Sequence, residues 1–311
     1  MSPATTATNA AFEPRGVYAA SLTPLNENLA PDIPRLIAHS RWLLANGCDG
    51  LGILGTTGEA NSLSLADRRR IVEATAAALP KERLLPGIGS CSFTDAVEIA
   101  RAALGAGVKN VLCLPPFYYK GVSDAGVEAF IAKVIEGAGS VDLRLYLYNF
   151  PQLTGYAFQL ASVERLRARF GAVIAGMKDS SGDFANMKRF AEGLPGFRVF
   201  SGTEQFLLDI LEVGGVGCIS ATVNLTAPWC RAVLDAKGEA RRAAQEHLTR
   251  LRLAVQAKPL IPALKGMMAR LTGDARWLAM CPPYLPFAPS ELDAMAKDLA
   301  ALGLRELRLA A

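Results

Sequence analysis

The stretch VIAGMKDSSGD, residues 173–183, decides how this chain is read. Val173 to Met177 form a short apolar run of the kind that fills a strand covered on both faces. Asp179 to Gly182 has turn chemistry, and Ser180 or Ser181 can cap a helix that follows. Lys178 therefore stands where a buried strand gives way to a loop. An ordinary lysine in that place snorkels to solvent or pairs with Asp179. A functional lysine needs a fold that gathers other strand ends around it.

Outward from this stretch the same order recurs: short apolar run, turn, amphipathic segment. Strands are expected over residues 17–26, 49–55, 83–90, 110–116, 143–150, 173–179, 197–203 and 217–222. Helix-like segments separate them, several ending in glycine, a C-terminal helix signal. Eight alternations predict a (β/α)8 TIM barrel. An open doubly wound sheet lacks its usual sign, because no GxGxxG turn follows the first strand. The barrel is expected over residues 16–236, after a floppy N-terminal arm over 1–15. A C-terminal helical region over 237–311 is expected to pack beside the barrel or form an interface.

Composition excludes several function classes. Of 311 residues 51% are hydrophobic, enough for a large core. Thirty-three basic residues stand against 29 acidic ones, and they are scattered, so no nucleic-acid partner is expected. The six cysteines form no CxxC pair and suit a reducing compartment, placing the protein in the cytoplasm. No apolar run is long enough for a membrane span, and the N-terminus does not resemble a secretory signal. The two histidines, His39 and His247, both lie in helix patterns, so His-based triads and His-rich metal sites are poor hypotheses.

Active sites of such barrels lie at the C-terminal ends of the strands. There the chain places GTTGEA (55–60), PPFYYK (115–120), YNFP (148–151), Lys178 and SGTE (201–204). Each has a plain structural reading as a tight turn, a proline-bounded strand end or a capped helix. Taken together they set hydroxyls around one amine. A lysine in an apolar mouth loses hydration, which favours the nucleophilic free amine. Such an amine attacks a ketone to form a Schiff base. A tyrosine within hydrogen-bond reach, relayed through a threonine, can carry the proton. Thr side chains and amides of the TTG turn can hold a small carboxylate. No metal and no cofactor is required.

GTTGEA, YNFP, GMKDSSGD and SGTEQFLLDILEVGGVGCISAT resemble the dihydrodipicolinate synthase / N-acetylneuraminate lyase superfamily, and the match runs over nearly the whole chain. The resemblance implies a metal-independent, Schiff-base lyase or synthase handling pyruvate, built as a homotetramer. It makes Lys178 the Schiff-base lysine, Tyr148 the proton shuttle and Thr56 its relay. Thr57, with the amides near Gly55, binds the pyruvate carboxylate, and Gly202 and Ile219 line the pyruvate pocket. Tyr118 or Tyr119 matches the tyrosine that a neighbouring subunit inserts.

Synthases of this group usually carry an arginine after YNxPG to bind the carboxylate of aspartate semialdehyde. Here Leu153 stands in its place. Losing a charge-assisted contact of that kind costs about 2–4 kcal/mol. The acidic pair that grips sialic acid hydroxyls is replaced by Glu204 and Gln205, and Ala221 stands where a serine would help. The expectation is therefore an aldolase or dehydratase acting on a 2-keto-3-deoxy sugar acid or related 2-oxo acid. Glu204, Gln205 and Asn224 would meet its polar tail and Lys120 a distal anion. The alternatives are a dihydrodipicolinate synthase with a substitute cation, or an idle barrel that binds a metabolite.

Overall fold

A computed structural model describes residues 13–307; the N-terminal arm expected over 1–15 falls outside them up to residue 12. Seven parallel strands form a single sheet in the order β2-β1-β7-β6-β5-β4-β3. They are β1 (Gly16–Ala20), β2 (Gly50–Gly52), β3 (Asn110–Cys113), β4 (Arg144–Asn149), β5 (Ile174–Asp179), β6 (Arg198–Ser201) and β7 (Gly217–Ser220). Helices connect them, as parallel neighbours require.

The strand expected over 83–90 does not form a continuous ladder. Pro86 has no N–H to donate, so this segment makes only single bridges, Leu51 with Leu84 and Gly87 with Leu112. It still spans the gap between β2 and β3. Leu85 and Gly87 donate to Leu51 O and Ile53 O at 2.9 and 2.7 Å, and Leu112 N donates to Pro86 O at 2.9 Å. Seven regular strands and one proline-interrupted segment thus make a nearly closed barrel.

Strand alternation sorts the side chains into two cores. Tyr18, Leu85, Leu112, Tyr146, Tyr148, Phe200 and Ile219 fill the barrel interior. Leu145, Leu147 and Met177 face the opposite way, into the apolar layer between strands and helices. Glycine is needed at Gly217, where β7 meets β1. Its φ is 142°, and a Cβ there would overlap the carbonyl of Gly16.

The helix after β5, Phe184–Gly193, is capped by Asp183, which accepts from Asn186 N at 3.2 Å. Neither Ser180 nor Ser181 serves as that cap; Ser181 Oγ instead accepts from Asp183 N at 3.1 Å. The segment after the barrel is helical as expected, with helices Gly238–Gln256, Leu260–Thr272 and Pro289–Ala301. Among the described residues no helix is long and apolar enough to cross a membrane.

Candidate active site

Tyr148 and Lys178 are register partners on β4 and β5. Period-two alternation turns both toward the barrel axis, while Asp179 points outward. Asp179 is spent on the loop it begins: Oδ1 accepts from Ser181 N at 2.8 Å and Oδ2 from Asn186 Nδ2 at 2.6 Å. Lys178 therefore neither pairs with Asp179 nor reaches bulk solvent. It is 5% exposed and Tyr148 is 4% exposed. Lys178 Nζ donates to Tyr148 Oη at 3.1 Å and lies 4.2 Å from the ring centroid.

The amine opens onto a cavity of about 680 Å³. Thr56, Thr57, Tyr148, Lys178 and Gly202 all line it, so five residues expected at the site share one space. Thr56 and Thr57 come from the turn after β2. No hydrogen bond joins Thr56 to Tyr148 among the described residues; the two only share the cavity. Gly55 sits one step aside, against Tyr148 in a small neighbouring recess. Gly202 holds β6 close to β5: a Cβ would overlap Ser180 Oγ and lie 2.7 Å from Asp179 O.

Ile219 does not line the cavity. It is fully buried in the barrel core with Tyr148 and Phe200. Glu204 is also turned away. Its carboxylate is fully buried and accepts from the hydroxyls of Ser220, Thr222 and Thr226, the last at 3.0 Å. Asn224 is likewise consumed inside, accepting from Leu22 N at 3.0 Å and donating to Ala20 O at 2.8 Å. Gln205, next to Glu204, is the one that reaches the cavity. Lys120 is not free for a distal anion, since its amine donates to Leu153 O at 3.1 Å and Thr154 O at 3.4 Å. Tyr118 and Tyr119 are 75% and 72% exposed, stacked edge-to-face at 5.3 Å. They touch no part of this cavity within one chain.

The C-terminal helices supply a wall that sequence reasoning did not assign. Arg252, Gln256, Leu260, Ile261 and Tyr284 line the cavity. A signal was present: Leu248, Leu251, Arg252 and Val255 share the buried stripe of one helix, and an arginine on an apolar stripe calls for a partner. Arg252 Nη1 donates to Ser220 Oγ at 3.1 Å and Thr222 Oγ1 at 2.9 Å and lies 3.5 Å from Glu204.

The turn that carries Thr56 and Thr57 ends at Glu59, whose φ is 54°. Glu59 pairs with Lys265, both side chains fully buried. Burial lowers the Lys265 pKa and the neighbouring carboxylate opposes that shift. Glu59 Oε2 also accepts from Cys281 N at 2.7 Å, and Lys265 Nζ donates to Ala279 O at 2.8 Å. The GTTGE turn is thus clamped to the C-terminal helices. Among the described residues, no three His, Cys, Asp or Glu side chains cluster as a metal site would need.

These features define a parallel α/β barrel with an amine-centred cavity at the C-terminal ends of its strands. Residues 13–302 match the dihydrodipicolinate synthetase family, and the chain belongs to that family. It is 34% identical over 286 residues to an uncharacterised DapA-like lyase from Chloroflexus aurantiacus, covering 91% of this chain and 95% of that one. Among solved structures it is similar to dihydrodipicolinate synthase from Agrobacterium tumefaciens, with a TM-score of 0.85 and 31% identity over 93% of this chain and 99% of that one. It is also similar to YagE, a prophage protein of the same family from E. coli seen in complex with pyruvate. There the TM-score is 0.83 at 25% identity, over 93% of this chain and 99% of that one.

Proposed function

We propose that the protein is a class I lyase that binds a 2-oxo acid as a Schiff base on Lys178. Its substrate is a 2-keto-3-deoxy sugar acid or a related 2-oxo acid, cleaved or dehydrated without a metal. The observation that carries this reading is the buried amine 3.1 Å from a tyrosine hydroxyl in a substrate-sized cavity. The pyruvate complex of the E. coli relative supports it.

In the reading, the free amine of Lys178 attacks the keto carbon and Tyr148 handles the proton of the resulting carbinolamine. Loss of water leaves an iminium, which acts as an electron sink. Tyr148, as the base, takes the C4 hydroxyl proton. The electron pair left on that oxygen forms the aldehyde carbonyl while the C3–C4 pair passes into the iminium, giving an enamine and releasing the aldehyde. Protonation at C3 and hydrolysis return pyruvate and the amine. Thr57 and the turn amides hold the carboxylate, and Thr56 relays protons once substrate bridges it to Tyr148. The exposed Tyr118 and Tyr119 suit insertion into a neighbouring subunit of a homotetramer. All six thiols are free, which fits a cytoplasmic setting.

Enamine formation exchanges the methyl hydrogens of pyruvate with solvent, whatever the second substrate is. The protein is expected to exchange them in heavy water, read by loss of the methyl proton signal. Lys178→Ala should abolish the exchange. Exchange that persists in that variant refutes the Schiff-base reading.

A further inference from the structure

Resting on the Schiff-base reading, we infer that Arg252 recognises a second acid group on the substrate, so that the preferred 2-oxo acids are diacids. The cavity around Lys178 contains two Lys, Arg, Asp or Glu side chains among the described residues that line it, Lys178 and Arg252. Both are basic, and no carboxylate lines the space. Its remaining polar surface comes from neutral groups, the hydroxyls of Thr56, Thr57, Ser180, Ser181, Thr203, Tyr148 and Tyr284 and the amides of Gln152, Gln205 and Gln256. A site built for a neutral polyol tail has no need of a second basic group in its wall.

Arg252 is held rather than loose. It is 9% exposed, so most of the side chain is packed against the protein. Nη1 is occupied by Ser220 and Thr222, and Nε donates to Gln256 Oε1 at 2.9 Å. The Nη2 donors have no acceptor among the described residues. A guanidinium fixed on one side and free on the other offers a preorganised fork to a carboxylate or other planar acid. Glu204, fully buried behind it at 3.5 Å, offsets the cost of burying the cation. Gln245 fixes that arrangement, donating to Glu204 O at 2.9 Å and accepting from Leu208 N at 3.1 Å. The carboxylate of Glu204 therefore positions the arginine, while the arginine faces the cavity. Leu153, also lining the cavity, supplies no charge of its own.

The test compares two chain-matched probes, 2-oxoadipate and 2-oxohexanoate, which differ in a terminal carboxylate. Each is incubated with the protein and borohydride, with pyruvate as reference, and the reduced adduct on Lys178 is quantified by peptide mass. The diacid should reach half-trapping at a concentration about tenfold or more below the monoacid, as expected for one charge-assisted contact. In Arg252→Gln that ratio should fall toward one, and Arg252→Lys should keep part of it. A purely structural arginine would weaken both probes together and leave the ratio unchanged. Equal trapping of the two probes by the wild-type protein overturns the inference, with no variant needed, while pyruvate trapping keeps the Schiff-base reading intact. A preference that survives in Arg252→Gln overturns it as well. No adduct with any 2-oxo acid, pyruvate included, sinks the Schiff-base reading and this inference with it.

Discussion

Lys265→Met removes the cation of the ion pair that, among the described residues, joins the GTTGE turn to the C-terminal helices. Both partners are fully buried, so solvent does not screen the loss. After the change Glu59 keeps the Cys281 N–H at 2.7 Å but has no counter-charge. Breaking a buried pair from one side costs about 3–5 kcal/mol. That is a large share of the roughly 5–15 kcal/mol that holds a folded protein together. With about 2 °C of melting temperature per kcal/mol for a chain of this size, the expected drop is about 6–10 °C. Scanning calorimetry reads it, provided unfolding is reversible. The double variant Glu59→Gln with Lys265→Met should regain at least about 1 kcal/mol over the single one, because no buried charge is left unpaired. Glu59→Gln alone leaves Lys265 as the orphan. Burial then favours its neutral form, so this variant's folded state binds fewer protons than its unfolded state and gains stability as pH rises. A Lys265→Met protein that melts within about 1 °C of wild type would refute the reasoning.

Three further outcomes are expected. Tyr148→Phe should keep the fold but slow methyl exchange of pyruvate by about 10²–10⁴, the range for a lost general acid–base group. Gly202→Ala should push Ser180 off its place on the cavity wall and weaken pyruvate binding, measured by the concentration needed for half-maximal exchange. His39 is fully buried, with its pKa lowered to about 4 by burial, partly opposed by its contact with Asn224. Below the ordinary histidine value of about 6.5 the unfolded chain takes up a proton that the folded one refuses. Stability should therefore fall by up to about 1.4 kcal/mol per pH unit between pH 6.5 and 4. Denaturant titrations at several pH values should show this slope, and a His39→Gln protein should lose it.

The barrel was legible because strand and helix periods alternate regularly along the chain. The proline-interrupted segment was not, since Pro86 leaves the apolar pattern intact while removing a ladder donor. At the site, strand-end position alone only suggested Lys178, Tyr148, Thr56, Thr57 and Gly202; the family resemblance named them, and the fold brings all five to one cavity. Ile219 does turn to the barrel interior with Tyr148 but is fully buried in the core there, whereas Glu204 turns away. A residue's place at a strand end does not say which way its side chain turns, and three hydroxyls take the Glu204 carboxylate inward. Arg252 showed in the sequence only as an arginine on an apolar helix stripe; because that helix lies beyond the barrel, only the folded packing brings it to the cavity.

The central claim is the bond between Lys178 and a 2-oxo acid. Borohydride reduction in the presence of pyruvate, followed by peptide mass mapping, tests it most directly. The account predicts one reduced pyruvyl adduct, on the peptide carrying Lys178 and on no other lysine peptide. A folded protein that yields no adduct, or carries it on another lysine, would contradict the account.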